Sequence, residues 1–195
     1  MSLRIALIAG SNRSDSQSGR VAHYLAQRLT DMGASTNVID LAAEPLPLWP
    51  EESANSPWPD FANKLRAAQA VVVITPEWHG MACPALKNLF LYAGRRELAH
   101  KPALLVAVSG GQGGAYPIAE MRASSYKNCR LCYLPEHLII RQVGSVMGET
   151  VGDEDDRRIR ARADWSLELL LDYANAMLAL HERHRDPPAE FMNGM

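Results

Sequence analysis

A dense run of polar residues follows the first apolar segment of the chain. Ile5–Ala9 is apolar, Gly10 ends it, and residues 11–18 carry hydroxyls, amides, one acid and one arginine. A helical apolar pattern, Val21 to Met32, begins directly afterwards. A loop between a buried strand and a helix start offers backbone N–H groups and the positive end of the helix dipole, which suit a phosphate. An ordinary helix cap is the alternative, but a cap needs only one such residue. The predicted phosphate-binding residues are Ser11, Arg13, Ser16, Gln17 and Ser18.

Two later loops have compositions that suit a flat heterocycle. Thr75–Pro84 contains an aromatic, several backbone donors and a glycine, and Ser109–Gly114 contains four glycines that allow a backbone to approach a ligand closely. Taken singly, Trp78 is explained as a surface aromatic and the glycine run as a turn. Together with the phosphate site they predict a ligand with a phosphate at one end and a planar ring at the other. The predicted ring-binding residues are Pro76, Glu77, Trp78, His79, Gly80, Ser109, Gly110, Gly111 and Gly113.

Strand and helix patterns alternate five times along the chain. Several apolar runs lack polar alternation, which is typical of strands buried on both faces in a parallel sheet. The predicted strands are Ile5–Ala9, Thr36–Leu41, Ala70–Thr75, Ala103–Val108 and His137–Ile140. The predicted helices are Val21–Met32, Asp60–Ala68, Pro84–Ala93, a helix that follows Gly114 and ends at about Arg130, and Asp153–His184. The alternation predicts a three-layer α/β domain. In the strand order 2-1-3-4-5 the three unusual loops share one edge of the sheet and form one pocket.

The length, charge, apolar runs and cysteine count of the chain indicate which classes of protein it can belong to. The 195 residues predict one domain, 1–184, followed by a loose tail, 185–195, and a proline-rich surface loop over Glu44–Pro59. A net charge of -2 gives no reason to expect a nucleic acid or an anionic membrane as partner. The first apolar run is too short for a signal peptide, and no run approaches the ~20 residues of a membrane span. Three cysteines make no disulfide framework, so we expect a cytoplasmic protein.

Three motifs resemble the NADPH-dependent FMN reductases of flavodoxin-like fold, a family that includes azoreductases, quinone reductases and chromate reductases. The resemblance covers roughly Leu3 to Ile140. The family's phosphate loop is matched by Gly10, Ser11, Arg13, Ser16 and Ser18. Its second motif is matched by Pro76, Glu77, Gly80, Pro84, Leu86, Lys87 and Asn88, and its third by Ser109–Gly114. Trp78 and His79 depart from the usual Tyr and Asn, which leaves the preferred substrate open.

The resemblance implies a flavodoxin-like five-stranded sheet, bound FMN, NAD(P)H as reductant, and a homodimer or homotetramer. It implies an oxidoreductase that passes electrons to a quinone, an azo compound, a metal oxyanion or free flavin. Because the flavin carries the chemistry, no side chain is predicted to be catalytic and no metal is expected. The alternatives are a flavodoxin-type electron carrier without turnover of its own, and a flavin-free regulatory or sugar-phosphate-binding domain.

Four other features have simpler interpretations. Cys129 and Cys132 have redox-pair spacing, but we expect them near a helix C-terminus, where the dipole disfavours a thiolate, and interpret them as buried free thiols. Glu77 and His79 are interpreted as orienting groups. The arginines at 157–162 face preceding acids and predict a solvated, salt-bridged helix start. The final helix is apolar around much of its circumference, which predicts self-association.

Overall fold

Five parallel strands form the centre of the computed structural model, which describes residues 2–50, 55–184, 186 and 188–191. In chain order the strands are β1 (Arg4–Ala9), β2 (Ser35–Asp40), β3 (Ala70–Trp78), β4 (Met81–Ala82), β5 (Pro102–Val108) and β6 (Cys132–Ile140). The sheet order is β2-β1-β3-β5-β6, and the two-residue β4 pairs antiparallel with the end of β3. With β4 set apart, this is the predicted order 2-1-3-4-5, and the prediction is confirmed.

Helices cover both faces of the sheet. They are α1 (Gln17–Asp31), α2 (Trp58–Ala67), α3 (Pro84–Tyr92), α4 (Arg95–Leu98), α5 (Ala115–Ala123) and α6 (Glu154–His184). One apolar layer joins α1 and α6 to the sheet, and a second joins α2, α3, α4 and α5 to the opposite face. Strand residues such as Leu7 and Ile8 point into different layers and are fully buried, which explains the continuous apolar runs. The predicted three-layer α/β architecture is therefore confirmed.

Several predicted boundaries were wrong. Helix α1 begins at Gln17 instead of Val21 because the Ser16 hydroxyl caps it, and α2 begins at Trp58, inside the predicted loop. Strand β3 continues to Trp78 because its end pairs with β4. The helix after Gly114 ends at Ala123, well before Arg130, and β6 then begins at Cys132 instead of His137. Helix α4 was not predicted.

Two predicted irregular segments are described only in part. Residues 51–54 of the proline-rich loop lie outside the described residues, but its first half is fixed by buried Asn88, which accepts from the Trp49 N–H at 2.9 Å and donates to the Pro47 carbonyl at 2.8 Å. In the predicted loose tail, Ala189–Phe191 forms a 3₁₀ turn whose Phe191 carbonyl accepts from Arg130. The other tail residues, apart from 186 and 188, lie outside the described part. Within that part, no helix has the length and hydropathy to cross a membrane.

Candidate functional site

A pocket of about 320 Å³ opens at the carboxyl ends of β1, β3 and β5. The structure brings most of the predicted residues together there. The predicted residues that line it are Ser11, Arg13, Ser16, Gln17, Ser18, Pro76, Glu77, Trp78 and Gly110. Asp15, Val108 and Val143 also line it and were not predicted. The other predicted residues, His79, Gly80, Ser109, Gly111 and Gly113, lie in the same loops without lining the pocket.

The turn between β1 and α1 is held by its own hydrogen bonds. The Ser16 hydroxyl accepts from the Ser18 N–H at 3.0 Å, and the Ser16 N–H donates to the Arg13 carbonyl at 3.1 Å. The Ser11 hydroxyl accepts from the Arg13 N–H at 3.2 Å. The first turn of a helix leaves backbone N–H groups without intrahelical partners. This turn therefore presents the start of α1 to the pocket in a preset geometry.

Two polar side chains in this turn form few or only weak interactions with the rest of the protein. The Ser18 hydroxyl is buried and has no hydrogen-bond partner among the described residues, which is unusual enough to need an explanation. The Arg13 guanidinium pairs with Asp15 at 2.9 Å, but both side chains are largely exposed, at 62% and 70%. Hydrogen bonding to Arg13 and its charge lower the pKa of Asp15. An exposed pair of this kind is weak, so an anion can compete for Arg13.

Glu77 connects the end of β3 to the glycine loop. Its carboxylate accepts from the Gly114 N–H, and a Cβ at Gly113 would lie 2.7 Å from the same carboxylate. Gly114 has φ +114°, and a Cβ there would lie 2.3 Å from the Ile139 side chain. Gly114 is therefore required by its backbone conformation and by Ile139, whereas a side chain at Gly113 would displace the Glu77 carboxylate. Glu77 has a structural partner, which supports the prediction that it orients the loops.

The first part of the glycine loop leaves space toward the pocket. A Cβ at Gly110 or Gly111 would meet no described atom within 4 Å, and Gly110 lines the pocket. The loop position is nevertheless fixed, because the Ser109 N–H donates to the Ile140 carbonyl at 2.9 Å and its carbonyl accepts from the Val143 N–H at 3.1 Å. A planar ligand can therefore approach this backbone closely.

The segment predicted as a loop after β3 is a tight hairpin. His79 and Gly80 are its two central residues, with φ of 51° and 74°, as a two-residue hairpin turn of the primed type requires. Trp78, at the end of β3, is half-buried and lines the pocket, whereas His79 and Gly80 are exposed at the tip. The hairpin thus places Trp78 at the pocket and leaves His79 exposed at the hairpin tip.

Arg20 fixes the far wall of the pocket. Its guanidinium donates to the carbonyls of Val143, Val146 and Met147, and its Nε donates to the Gln17 side chain at 2.7 Å. Burial is the main cause that lowers the pKa of Arg20. The contact joins residues more than 120 positions apart, so no sequence pattern identifies it. Val143 lines the pocket because of this contact.

Cys129 and Cys132 lie away from this pocket. Their expected position near a helix C-terminus was wrong, since α5 ends at Ala123 and Cys132 is the first residue of β6. Burial raises the pKa of both thiols. Both thiols are free as predicted, but only Cys129 is buried and Cys132 is half-buried. Because the thiolate is the reactive form, the raised pKa of each thiol argues against a redox pair.

Comparison with known proteins identifies the family. Residues 3–144 match the family described as NADPH-dependent FMN reductase. An NADPH azoreductase from Bacillus sp. (strain OY1-2) is 35% identical over 127 residues, covering 63% of this chain and 68% of that protein. A quinone reductase from Pseudomonas putida is 28% identical over 120 residues, covering 57% of this chain and 63% of that protein. The aligned part thus spans about two thirds of these relatives.

Solved structures agree with the fold. An NADH:FMN oxidoreductase in its apo form superposes with a TM-score of 0.72 at 16% identity, covering 90% of each chain. The flavoenzyme NAD(P)H:(acceptor) oxidoreductase FerB from Paracoccus denitrificans gives 0.69 at 18% identity, covering 90% of this chain and 98% of that one. The chain belongs to the NADPH-dependent FMN reductase family. The predicted family, the predicted class of FMN-dependent oxidoreductase and the FMN and NAD(P)H requirement are thereby confirmed.

Proposed function

We propose that the pocket holds FMN with its phosphate on Ser11, Arg13, Ser16, Gln17 and Ser18. The observation that carries this proposal is the buried Ser18 hydroxyl without a partner among the described residues, at the start of a helix whose first N–H groups face the same turn. A phosphate oxygen is a strong acceptor for that hydroxyl, for the N–H groups and for the Arg13 guanidinium. The donor set therefore fits a phosphate monoester.

The opposite side of the pocket fits the planar ring. Pro76, Glu77 and Trp78 supply backbone and an aromatic face from β3, and the open space over Gly110 admits a ring edge against the backbone. A volume of about 320 Å³ falls within the usual range of small-molecule sites, roughly 300–1,000 Å³. His79, Gly80, Ser109, Gly111 and Gly113 act by shaping the two loops.

FMN held by these residues would supply the redox chemistry, which is the uptake of a hydride from NAD(P)H and the transfer of two electrons to an acceptor. The task of the chain is to hold the rings close and parallel. Glu77 is engaged with Gly114, so the loops are fixed by a group that would otherwise be a candidate acid or base. The nicotinamide and the acceptor use the same mouth in turn, which predicts ping-pong kinetics. The proposed acceptors are a quinone, an azo compound, a metal oxyanion or free flavin.

The purified protein, reconstituted with FMN, tests the proposal directly. Anaerobic mixing with NADPH should bleach the flavin absorbance, and a later addition of benzoquinone, methyl red, chromate or free FMN should restore it. Steady-state NADPH oxidation with one of these acceptors distinguishes an enzyme from an electron carrier without turnover. Failure to retain FMN, or retention without bleaching by either nicotinamide, would refute the proposed function.

We also propose a homodimer or homotetramer in the cytoplasm. Large apolar side chains remain exposed on two helices: Trp165 and Tyr173 on α6, at 48% and 37%, and Leu91 on α3, at 58%. A second subunit would cover such a face. All three cysteines are free, as expected in a reducing compartment. Sedimentation at micromolar concentration and cell fractionation test the two statements, and a monomer of ~21 kDa would overturn the first.

A further inference from the structure

A short hairpin carries the aromatic side of the candidate FMN pocket. Trp78 lines the pocket and pairs with Met81. The next pair along the hairpin is Glu77 with Ala82, the last residue of β4. In a two-residue hairpin the pair that flanks the turn is the hydrogen-bonded one, so the N–H of the following residue points away from β3. Because Ala82 is buried, its N–H needs an acceptor outside the hairpin.

Helix α5 supplies that acceptor. One oxygen of the Glu120 carboxylate accepts from the Ala82 N–H at 2.7 Å, and the other accepts from the Lys87 Nζ at 2.6 Å. The side chains of Glu120 and Lys87 are 28% and 46% exposed. Hydrogen bonding from Lys87, and then from the Ala82 N–H, lowers the pKa of Glu120. The carboxylate that forms both bonds is therefore ionised at neutral pH.

Both strands of the hairpin are joined to α5. Glu77 of β3 accepts from the Gly114 N–H at the start of α5, and Glu120 of α5 accepts from β4. Lys87 connects the same carboxylate to α3, which begins at Pro84. These bonds restrict where the hairpin can lie relative to the glycine loop, which forms another side of the pocket.

We propose that Glu120, held by Lys87, is a positioning residue that fixes Trp78 against the planar ring of the flavin. The inference rests on the proposed function of the pocket, because it requires the flavin ring to lie beside β3. Glu120 does not line the pocket and acts through the Ala82 N–H and the pairing of β4 with β3. It should therefore affect the ring end of the flavin and leave the phosphate end unchanged.

Titration of the apoprotein with two flavins tests this inference. Riboflavin has the same ring as FMN and lacks the phosphate. In Glu120→Ala the dissociation constants of FMN and of riboflavin should rise by the same factor, about tenfold, the scale of one charge-assisted hydrogen bond. In Arg13→Ala only the dissociation constant of FMN should rise, because riboflavin makes no phosphate contact. Flavin fluorescence measures all four constants.

Two further variants separate the two bonds of Glu120. Glu120→Gln keeps an oxygen for the Ala82 N–H and loses the charge that pairs with Lys87, so it should restore most of the flavin affinity lost in Glu120→Ala. Lys87→Met keeps the carboxylate and should behave like Glu120→Gln. The visible circular dichroism of bound FMN reports the surroundings of the ring: it should change in Glu120→Ala and return toward the parent spectrum in Glu120→Gln.

Asp164→Ala is the matched control. Asp164 is 31% exposed and joins α6 to α1 through the Arg28 Nε at 2.8 Å, so it belongs to an interhelical ion pair of similar exposure. That pair lies between the two helices that cover the face of the sheet opposite to α3 and α5. The control should keep the flavin dissociation constants and the FMN spectrum of the parent, and urea denaturation shows that each variant is folded.

The outcomes separate the two proposals. Unchanged flavin constants and an unchanged FMN spectrum in Glu120→Ala would overturn the inference and leave the proposed function standing. A loss of affinity for FMN alone would place the effect of Glu120 at the phosphate and would also overturn it, as would equal losses in Glu120→Ala and Asp164→Ala. A parent protein that binds no FMN would refute the proposed function, and this inference with it.

Discussion

Two helix starts at the same edge of the sheet use similar residues in different ways. In the phosphate turn (residues 11–18), the Ser18 hydroxyl lacks a partner among the described residues and Arg13 pairs with Asp15 in solvent. In the α6 junction (residues 147–160), the buried Asp156 carboxylate accepts from the Met147 N–H at 2.6 Å, the Gly152 N–H at 2.7 Å and the Arg160 Nε at 2.8 Å. The α6 junction saturates its buried charge internally.

The difference shows how to distinguish a binding turn from a structural one. Both segments combine acids, an arginine and the start of a helix, so residue types alone do not separate them. Saturated polar groups have already contributed their hydrogen bonds to the fold, whereas unsaturated donors at a helix start remain available to an anion. We therefore expect substitutions in the α6 junction to alter stability and substitutions in the phosphate turn to alter ligand affinity.

The largest effect should come from Asp156→Ala. Removing the buried carboxylate leaves Arg160 and two N–H groups without their acceptor, so we expect the free energy of unfolding to fall by about 3–5 kcal/mol. Urea denaturation measures it. Asp155→Ala is the control, because the exposed Asp155 should change stability by less than about 0.5 kcal/mol. Similar losses in both variants would remove the distinction between a buried and an exposed acid.

The same carboxylate predicts an acid limit to stability. Burial acts to raise the pKa of Asp156, but the N–H groups of Gly152 and Met147 and the guanidinium of Arg160 outweigh it, and the pKa is lowered. A lowered pKa in the fold contributes stability above the unfolded value of about 3.9, and this is lost as pH falls through the folded pKa. Asp156→Asn should therefore show a weaker fall in stability below about pH 4 than the parent, measured by urea denaturation across this pH range.

Arg13→Ala should have the opposite effect to Asp156→Ala: it should weaken FMN binding and leave the stability of the protein unchanged. FMN affinity should weaken by about 1.5–3 kcal/mol, the scale of a charge-assisted hydrogen bond to phosphate. The unfolding free energy without FMN should stay within about 0.5 kcal/mol, because the Arg13–Asp15 pair is exposed. Fluorescence titration of the apoprotein with FMN measures the first and urea denaturation the second. Unchanged flavin retention would mean that Arg13 is no part of the phosphate site.

His79→Asn should change flavin reduction by less than about tenfold, or ~1.4 kcal/mol of barrier. His79 has φ 51° at the hairpin tip, a backbone geometry that Asn tolerates well, so the hairpin should be kept. Loss of a general acid or base would instead cost ~10²–10⁴-fold. Anaerobic stopped-flow bleaching of the FMN-loaded variant decides between them. A hundredfold slower bleach with FMN still bound would assign His79 a chemical role.

The smallest expected effect is a gain in FMN affinity. Asp15→Asn removes the carboxylate that competes with phosphate for Arg13, so FMN should bind slightly more tightly, by much less than the loss expected in Arg13→Ala, because the pair is exposed. The same fluorescence titration detects it, and Asp31→Asn, in the exposed pair with Arg28 at the other end of α1, serves as control. Weaker FMN binding in Asp15→Asn would indicate that Asp15 positions Arg13 for the phosphate.

Sequence patterns predicted the parts of the molecule that depend on neighbouring residues. The polar turn before α1 is local, because Ser16 caps the helix that begins one residue later, and the apolar runs of β3 and β5 reflect burial on both faces. The edge strand β6 was placed late, at His137, because its first residues alternate in burial and carry polar groups. Helix α4, with four residues, is too short for a periodic pattern.

Long-range contacts could not be predicted from these patterns. Lys101 is fully buried and donates to the Leu65 and Arg66 carbonyls at 2.6 and 3.2 Å, and burial lowers its pKa to about 8, yet its sequence context is that of a surface lysine. Asp15 was not among the predicted site residues, although it lines the pocket. Val143 lines the pocket because of its contact with Arg20, a residue of helix α1 that is distant in the sequence.

Arg20 belongs to the helix that starts at the phosphate turn and holds the segment that precedes α6. In that segment, Val143 lines the candidate FMN pocket and Val146 lines a second pocket. Local opening of the segment must break the arginine's bonds to its carbonyls together with the Met147 bond to Asp156. Native proteins open in such cooperative units. We therefore expect the amide protons of this segment to exchange together, as one unit.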